Sequence, residues 1–194
     1  MDMEKKHIIL ASRSPRRNDI LKEHGVEFSV ASADIDETVE FWDSPRLYCM
    51  SLAVRKAFAV RDEGSEGIII SADTIVVHDG KILGKPADDA DACATLESLR
   101  DDRHQVMTGV AVCDTESGIT DAFCEVTDVY FTDYTKENIL SYVATGEPAD
   151  KAGSYAIQGG WKRFVDRIEG DYSNVVGLPW DALLPILEKH IRRK

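Results

Sequence analysis

What the sequence lacks narrows its class before any motif is read. No stretch approaches the roughly 20 consecutive apolar residues that a membrane-spanning helix needs. The short apolar run after the lysines of MDMEKKHIILAS is too brief for a secretion signal and leads straight into SRSPRR. The expectation is a soluble chain with no membrane partner. Positive charge is scarce as well: 23 Lys and Arg against 35 Asp and Glu give a formal net charge of −12. That excludes a broad nucleic-acid surface, because a phosphate backbone needs an extended basic stripe. It leaves room for a small polyanion held by a few convergent cations. Cysteine is sparse, and Cys49, Cys93, Cys113 and Cys124 form neither a CxxC pair nor a metal-ligand spacing. They read as reduced thiols of a cytoplasmic protein, with a bridge between Cys113 and Cys124 across a hairpin left open. The five histidines show no ligand spacing, and no repeat, low-complexity tract or clean linker is visible.

What is present is a globular balance, 43% hydrophobic and 30% charged over 194 residues. This suffices for one domain spanning 1–194, or for two lobes sharing one core, without staples. HIILAS, residues 7–12, reads as a buried strand, and Ser14-Pro15 opens a helix running to Gly25. A second strand is expected over about 26–33, then an acidic loop with Asp34, Asp36 and Glu37. A helix from Ser44 or Pro45 follows, whose apolar stripe is Leu47, Met50, Val54 and Phe58. GIIISADTIVV, residues 67–77, is a strand buried on both faces, and Asp79-Gly80 is a hairpin turn into KILG. Next come a helix from Asp88 to Arg100 with Leu96 and Leu99 inward, and two long strands flanking the 114–118 turn, expected as a central antiparallel pair. Thr135 caps a further helix. A Gly-rich loop spans 146–160, and strand FVDRIEG and a helix from Pro179, kinked at Pro185, complete the pattern. Helices alternate with strands and hairpins, so the fold class is α/β with a mixed, twisted sheet and flanking helices.

Four places carry chemistry. Ser12, Ser14, Arg16 and Arg17 lie where a strand hands over to a helix, so hydroxyls, free N–H groups and two guanidinium forks can meet one phosphate. The same residues also suit a plain N-cap followed by solvated arginines, although arginine in a first helical turn opposes the macrodipole. The Asp34, Asp36, Glu37 cluster offers hard oxygen ligands, or is simply a solvated acidic loop. Lys56 falls opposite its helix's apolar stripe, pointing either to a ligand or to solvent. Arg46 and Arg55 carry no position-specific argument. Asp73, just past the Ile68–Ile70 run, reads as a strand-end carboxylate entering a cleft to bind metal or orient water, or as a turn cap on Thr74. Lys85 sits between Gly84 and Pro86 on a stiffened loop, and Gly84 permits close approach of a ligand. The 146–160 loop, with Gln158, is a lid or a binding wall. Tyr155 and the following Trp161 either stack on a base or pack the loop down.

Taken together and in order, SRSPRR, DIDE, Arg55-Lys56-Ala57, SADTIVV, ILGKP, HQVMTGVAV, TGEPADKAGSYAIQGG and NVVGLP resemble the Maf family of nucleotide pyrophosphatases. The resemblance covers nearly the whole chain, with no family signature over about 114–123 or in the C-terminal helix. It implies a fold similar to the inosine triphosphate pyrophosphatases, with two lobes around a cleft that holds a divalent cation, Mg²⁺ or Mn²⁺. The family's phosphate-binding and catalytic positions fall on Ser12, Arg16, Arg17, Glu37, Lys56, Asp73, Lys85 and Gln158. Ser14 joins the substrate-binding set, Glu37 and Asp73 are the implied metal ligands, and Asp73, Glu37, Lys85 and Arg17 the catalytic group.

The implied reaction is hydrolysis of a nucleoside triphosphate to its monophosphate and pyrophosphate. SPRR, ADT, GKP and YAIQG look like the branch acting on dTTP, UTP and modified uridine triphosphates rather than the 7-methyl-GTP branch. A homodimer is implied by the resemblance alone. The alternatives are a purine-directed pyrophosphatase, a nucleotide-sensing division inhibitor without turnover, and a phosphatase releasing orthophosphate. Two departures, Ala156 where the family often has Gly and the bulky Gly160-Trp161-Lys162, bear on base preference more than on chemistry.

Overall fold

Strand β1 (Ile8–Ala11) is buried at all four positions, as an apolar run with both faces covered must be. The computed structural model describes residues 6–37 and 43–193. The first part of the N-terminal segment and residues 38–42, between the acidic loop and the next helix, lie outside them. Helix α1 (Pro15–Glu23) starts with Pro15 in its first turn and buries Ile20 and Leu21. β2 (Ser29–Ala31) is shorter than expected and pairs parallel with β1. Helix α2 (Pro45–Asp62) is capped by the Ser44 hydroxyl, which accepts from Leu47 N–H at 3.4 Å. β3 (Ile68–His78) pairs parallel with β1 through Ile68–Ile70 and antiparallel with β4 (Lys81–Leu83). Asp79 and Gly80, both at positive φ, make the tight turn between β3 and β4.

Helix α3 (Asp89–Ser98) leads into β5 (Arg103–Asp114) and β6 (Thr120–Phe131), which are neighbours in the sheet. α4 (Lys136–Val143) opens on a capping box between Thr135 and Asn138. Three short 3₁₀ turns occupy much of 147–164, then β7 (Val165–Glu169) pairs antiparallel with β6. A five-residue helix, α5 (Tyr172–Val176), was not foreseen. Asp171 nucleates it, its carboxylate accepting from Ser173 N–H at 2.7 Å. α6 (Trp180–Arg192) runs through Pro185. The sheet has seven strands in the order β2-β1-β3-β5-β6-β7, with β4 on β3. No helix among the described residues is long and apolar enough to cross a membrane.

The chain divides into two compact units. One comprises Met1–Asp73, Thr108–Glu125 and Gly177–Lys194, the other Thr74–Met107 and Val126–Val176. In the first, α2 turns a different face inward from the one its large residues suggest. Cys49, Leu52, Ala53, Ala57 and Val60 are buried, while Leu47 is 49% exposed and Met50, Val54 and Phe58 are half-buried. The reason is close approach. A Cβ on Gly109 of β5 would lie 2.3 Å from the Cys49 carbonyl carbon, so backbone meets backbone where only small side chains fit. Ala53 and Ala57 join Ile9, Ile69, Ala111 and Cys113 in the core there.

In the second unit, Trp161 is fully buried among Tyr134, Tyr142 and Phe164, with ring centroids 4.6–4.8 Å away. Tyr155, 6% exposed, packs against His104 and Phe131. Both aromatics pack the loop down, so neither offers a face for stacking on a base. All four cysteines are free, and the sulfur nearest Cys124 is that of Cys49, at 3.6 Å, rather than Cys113.

Candidate functional site

The site in the first unit begins at the turn from β1 to α1. Ser12 is buried, and its hydroxyl accepts from Ser14 N–H at 3.2 Å and from Arg17 Nη1 at 3.1 Å. Arg17 also donates from Nε to the Gly177 carbonyl at 2.8 Å. Two of its donors are therefore committed to the protein, which fixes the plane of the fork. Burial pulls the Arg17 guanidinium below its ordinary pKa, the Asp73 and Glu37 charges oppose that shift, and neighbouring Arg16 adds to it. Ser14 occupies the N-cap position but makes no side-chain capping bond. The hydroxyl that organises the turn is that of Ser12.

Lys56 is the centre of the second group. Its Nζ lies 2.6 Å from Asp73 Oδ1 and 2.8 Å from Glu37 Oε1. Because the buried face of α2 is the small-residue face, Lys56 follows Leu52 and precedes Val60 by one turn each. It sits at the edge of the core rather than opposite it. Asp73 is not at a strand end. It lies in the middle of β3, which continues to His78, and it faces the ammonium. The strand extends further because Thr74–Val77 resume the β-branched run, and this removes the turn-cap reading of Asp73. Two residues before it, the Ser71 hydroxyl donates to the Ala53 carbonyl at 2.6 Å and ties the strand to α2.

Glu37 is brought to Lys56 by the acidic loop, where Arg55 Nη2 donates to the Asp36 carbonyl. Arg55 carried no signal in the sequence, because its role is to hold a backbone atom 19 residues away. Tyr48 was also missed. Burial raises its hydroxyl pKa, and the charges of Asp73 and Glu37 add to the rise, which places it near the acid pair. Asp34 turns outward to an exposed pair with Arg13 at 2.9 Å. A cavity of about 150 Å³ is lined by Ser12, Arg13, Arg17, Asp34, Glu37 and Lys56, among others. It holds three cationic groups beside two carboxylates, a mixture suited to an anion that arrives with a counter-cation.

Lys85 and Gln158 belong to the second unit. Both are exposed, and the segments bearing them meet: Gly153 N–H donates to the Gly84 carbonyl at 3.1 Å. The structure thus gathers Ser12, Arg17, Glu37, Lys56 and Asp73 in one unit and the Lys85 and Gln158 loops in the other.

Solved structures share this architecture. A Ham1 protein of Coxiella burnetii superposes with a TM-score of 0.55 and that of Staphylococcus aureus with 0.54. Each match covers 95% of this chain and 99% of the other at 15% identity, so the likeness is one of fold. The class is therefore an α/β protein of the Ham1 fold with a lysine-bridged acid pair beside a serine-arginine turn.

Within that class the chain belongs to the Maf-like protein family, whose model matches residues 7–190. A Bacillus cytotoxicus protein named dTTP/UTP pyrophosphatase is 48% identical over 184 residues, covering 95% of each chain. A Bacillus cereus protein of the same name is 45% identical over 184 residues, covering 95% of this chain and 90% of its own.

Proposed function

We propose that this protein hydrolyses nucleoside triphosphates to the monophosphate and pyrophosphate, with dTTP and UTP, including modified uridine triphosphates, as its substrates. The observation that carries the reading is the meeting of Glu37 and Asp73 on Lys56 Nζ, beside Ser12 and Arg17. Its support from kinship is the 45–48% identity to proteins named for that activity.

The triphosphate carries about four negative charges, which Arg16, Arg17, Lys56 and Lys85 match in number. Ser12 and Arg17 hold phosphate oxygens at the β1–α1 turn. Asp73 accepts a proton from a water aligned with the α-phosphorus. The new bond joins that water oxygen to the α-phosphorus, and the bond to the bridging α–β oxygen breaks in line. Pyrophosphate leaves against the cationic side chains. Gln158, with both an amide donor and an acceptor, reads the base edge.

A divalent cation fits Glu37 and Asp73, since two carboxylates that already converge on one cationic atom form a hard-oxygen site completed by phosphate oxygens. Among the described residues there is no cluster of three His, Cys, Asp or Glu. The fit is thus to a cation shared with substrate rather than to a protein cage. When bound, Mg²⁺ or Mn²⁺ supplies charge neutralisation at the phosphates. The proposal takes residues 1–194 as one functional domain working in the cytoplasm, where such nucleotides are found, and as a homodimer.

The test is a panel of nucleoside triphosphates with Mg²⁺ and with Mn²⁺, measuring the nucleotide product and the inorganic product together. Monophosphate and pyrophosphate in equal amounts, fastest from dTTP and UTP, is the expected result. Orthophosphate as the inorganic product, or binding without turnover, overturns it.

A further inference from the structure

Gln158 is presented by a turn whose two ends are held by the same pair of side chains. The hydroxyl of Tyr142, on α4, accepts from Ala156 N–H at 3.2 Å and donates to Glu147 Oε1 at 3.1 Å. The Glu147 carboxylate in turn accepts from Gly160 N–H, at 3.2 Å to each oxygen. The Ala156–Gly160 segment is thereby closed into an arch by one hydroxyl and one carboxylate. Within it Ile157 is buried and Gln158 is exposed.

The fit at the base of the arch is tight. A Cβ on Gly159 would lie 1.6 Å from Glu147 Oε1, so the carboxylate rests against bare backbone at the residue after Gln158. Tyr142 is itself fixed from below, its ring 4.7 Å from that of the fully buried Trp161. Glu147 is aimed back at the arch by the turn at Gly146, whose φ is +74°, and by its own N–H donating to Thr145 Oγ1 at 3.2 Å.

An amide side chain discriminates bases well only if its backbone is held still, because a displacement of the turn carries its donor and acceptor together out of register with the base edge. We propose that Tyr142 and Glu147 are positioning residues that set base selectivity by locking the turn that bears Gln158. This rests on the reading of Gln158 as the residue that contacts the base. A clamp that breaks lets the amide sample several orientations, so the preferred base loses its advantage while the phosphate chemistry, on other residues, continues.

The experiment compares kcat/KM for dTTP and dGTP in the parent, Gln158→Ala, Tyr142→Phe, Glu147→Gln and the double variant Gln158→Ala/Tyr142→Phe, with far-ultraviolet dichroism and Tm for each. Tyr142→Phe keeps the ring on Trp161 and removes only the hydroxyl. The expected result is that it and Glu147→Gln each lower the dTTP-over-dGTP ratio by about tenfold. The loss appears mainly as a higher KM for dTTP, with kcat within about threefold. In the Gln158→Ala background, Tyr142→Phe causes no further change in the ratio, as expected for residues that act through Gln158.

A ratio lowered by Gln158→Ala but untouched by Tyr142→Phe and Glu147→Gln overturns the clamp and leaves the role of Gln158 standing. A ratio unchanged by Gln158→Ala removes Gln158 from base recognition, and the clamp's role in selectivity with it. Equal losses for both nucleotides accompanied by a lower Tm mean that the pair is merely structural, which also overturns the proposal.

Discussion

Asp73 and Lys56 show how a residue's chemistry follows from its place in a strand or helix. Asp73 sits mid-strand with its carboxylate 2.6 Å from Lys56 Nζ, so Asp73→Asn keeps the shape and removes the carboxylate proposed as the base. It is expected to lower kcat by about a thousandfold with the Tm essentially unchanged. A discontinuous assay for pyrophosphate release checks this, and turnover near the parent rate would exclude Asp73 from the reaction. Arg55 acts one step further out, through the Asp36 backbone that leads to Glu37. Arg55→Ala is expected to raise the KM for dTTP by about tenfold, because a modest displacement of a ligand-bearing loop weakens binding sharply. Saturation kinetics reports it, and an unchanged KM would mean that Glu37 is held by other contacts. Lys56 and Asp73 were singled out from sequence because charged residues in or beside apolar patterns are conspicuous, and Glu37 because it belongs to an acidic cluster in a loop. Arg55 and Tyr48 were not, since one works through a backbone carbonyl and the other by proximity, and neither leaves a local pattern.

At the level of elements, the sequence was legible where periodicity and turn chemistry agreed. The β3–β4 hairpin at Asp79-Gly80, the Thr135 capping box and the Ser44-Pro45 start of α2 all follow from short-range rules. The inward face of α2 is not the one its large apolar residues Leu47, Met50, Val54 and Phe58 suggest. The helix instead lies so close to β5 that Ala53, Ala57 and Cys49 face the sheet. Gly109→Ala tests that account. Its new methyl would fall within 2.4 Å of the Cys49 carbonyl and Met50 nitrogen, so α2 must shift. The expected loss is about 3 kcal/mol, at the upper end of overpacking costs. Urea denaturation measures it, and a change below about 0.5 kcal/mol would show that the contact is loose. Lys56 rides on the same helix, so activity should fall with stability.

For the molecule as a whole, two lobes were among the expectations, but where the chain divides was hidden from sequence for a physical reason. The boundaries at Asp73/Thr74, Met107/Thr108 and Glu125/Val126 fall inside β3, β5 and β6, where no loop composition can announce them. Global stability carries a pH signature as well. Burial depresses the His104 pKa from 6.5 to about 3, and its Nε2 lies 2.7 Å from the Tyr155 hydroxyl. Below pH 6.5 the unfolded chain takes up a proton at this residue that the folded protein refuses. Stability is therefore complete above pH 6.5 and declines as the pH falls toward about 3. The slope is about 1.4 kcal/mol per pH unit.

Asp102, Asp114 and Asp121 add a separate loss. Their carboxylates are held below the ordinary range, chiefly by the His78 bond for Asp102, by Lys6 and Ser117 against the cost of burial for Asp114, and by the Lys189 bond for Asp121. Their contribution is present above the ordinary carboxylate pKa, about 4, and disappears as the pH falls through the lower folded values. Denaturant midpoints between pH 7 and 5 isolate the histidine. His104→Gln is expected to flatten that interval while leaving the decline below pH 4. A parent protein already flat from pH 7 to 5 would contradict the burial of a neutral His104.

The lysine held between two acids gives the resting protein an internal counter-ion. A cation taking the proposed Glu37–Asp73 site would have to evict this tethered one, and the ammonium would give way most readily when another negative group is at hand to receive it. Were a divalent cation to use the proposed site, its loading in the free protein would be self-suppressed, and arriving phosphates would relieve the inhibition by attracting the amine away. Lys56→Met, measured by Mn²⁺ titration without nucleotide, is therefore expected to bind the ion more tightly than the parent. Equal affinities would mean that the amine does not compete for that position.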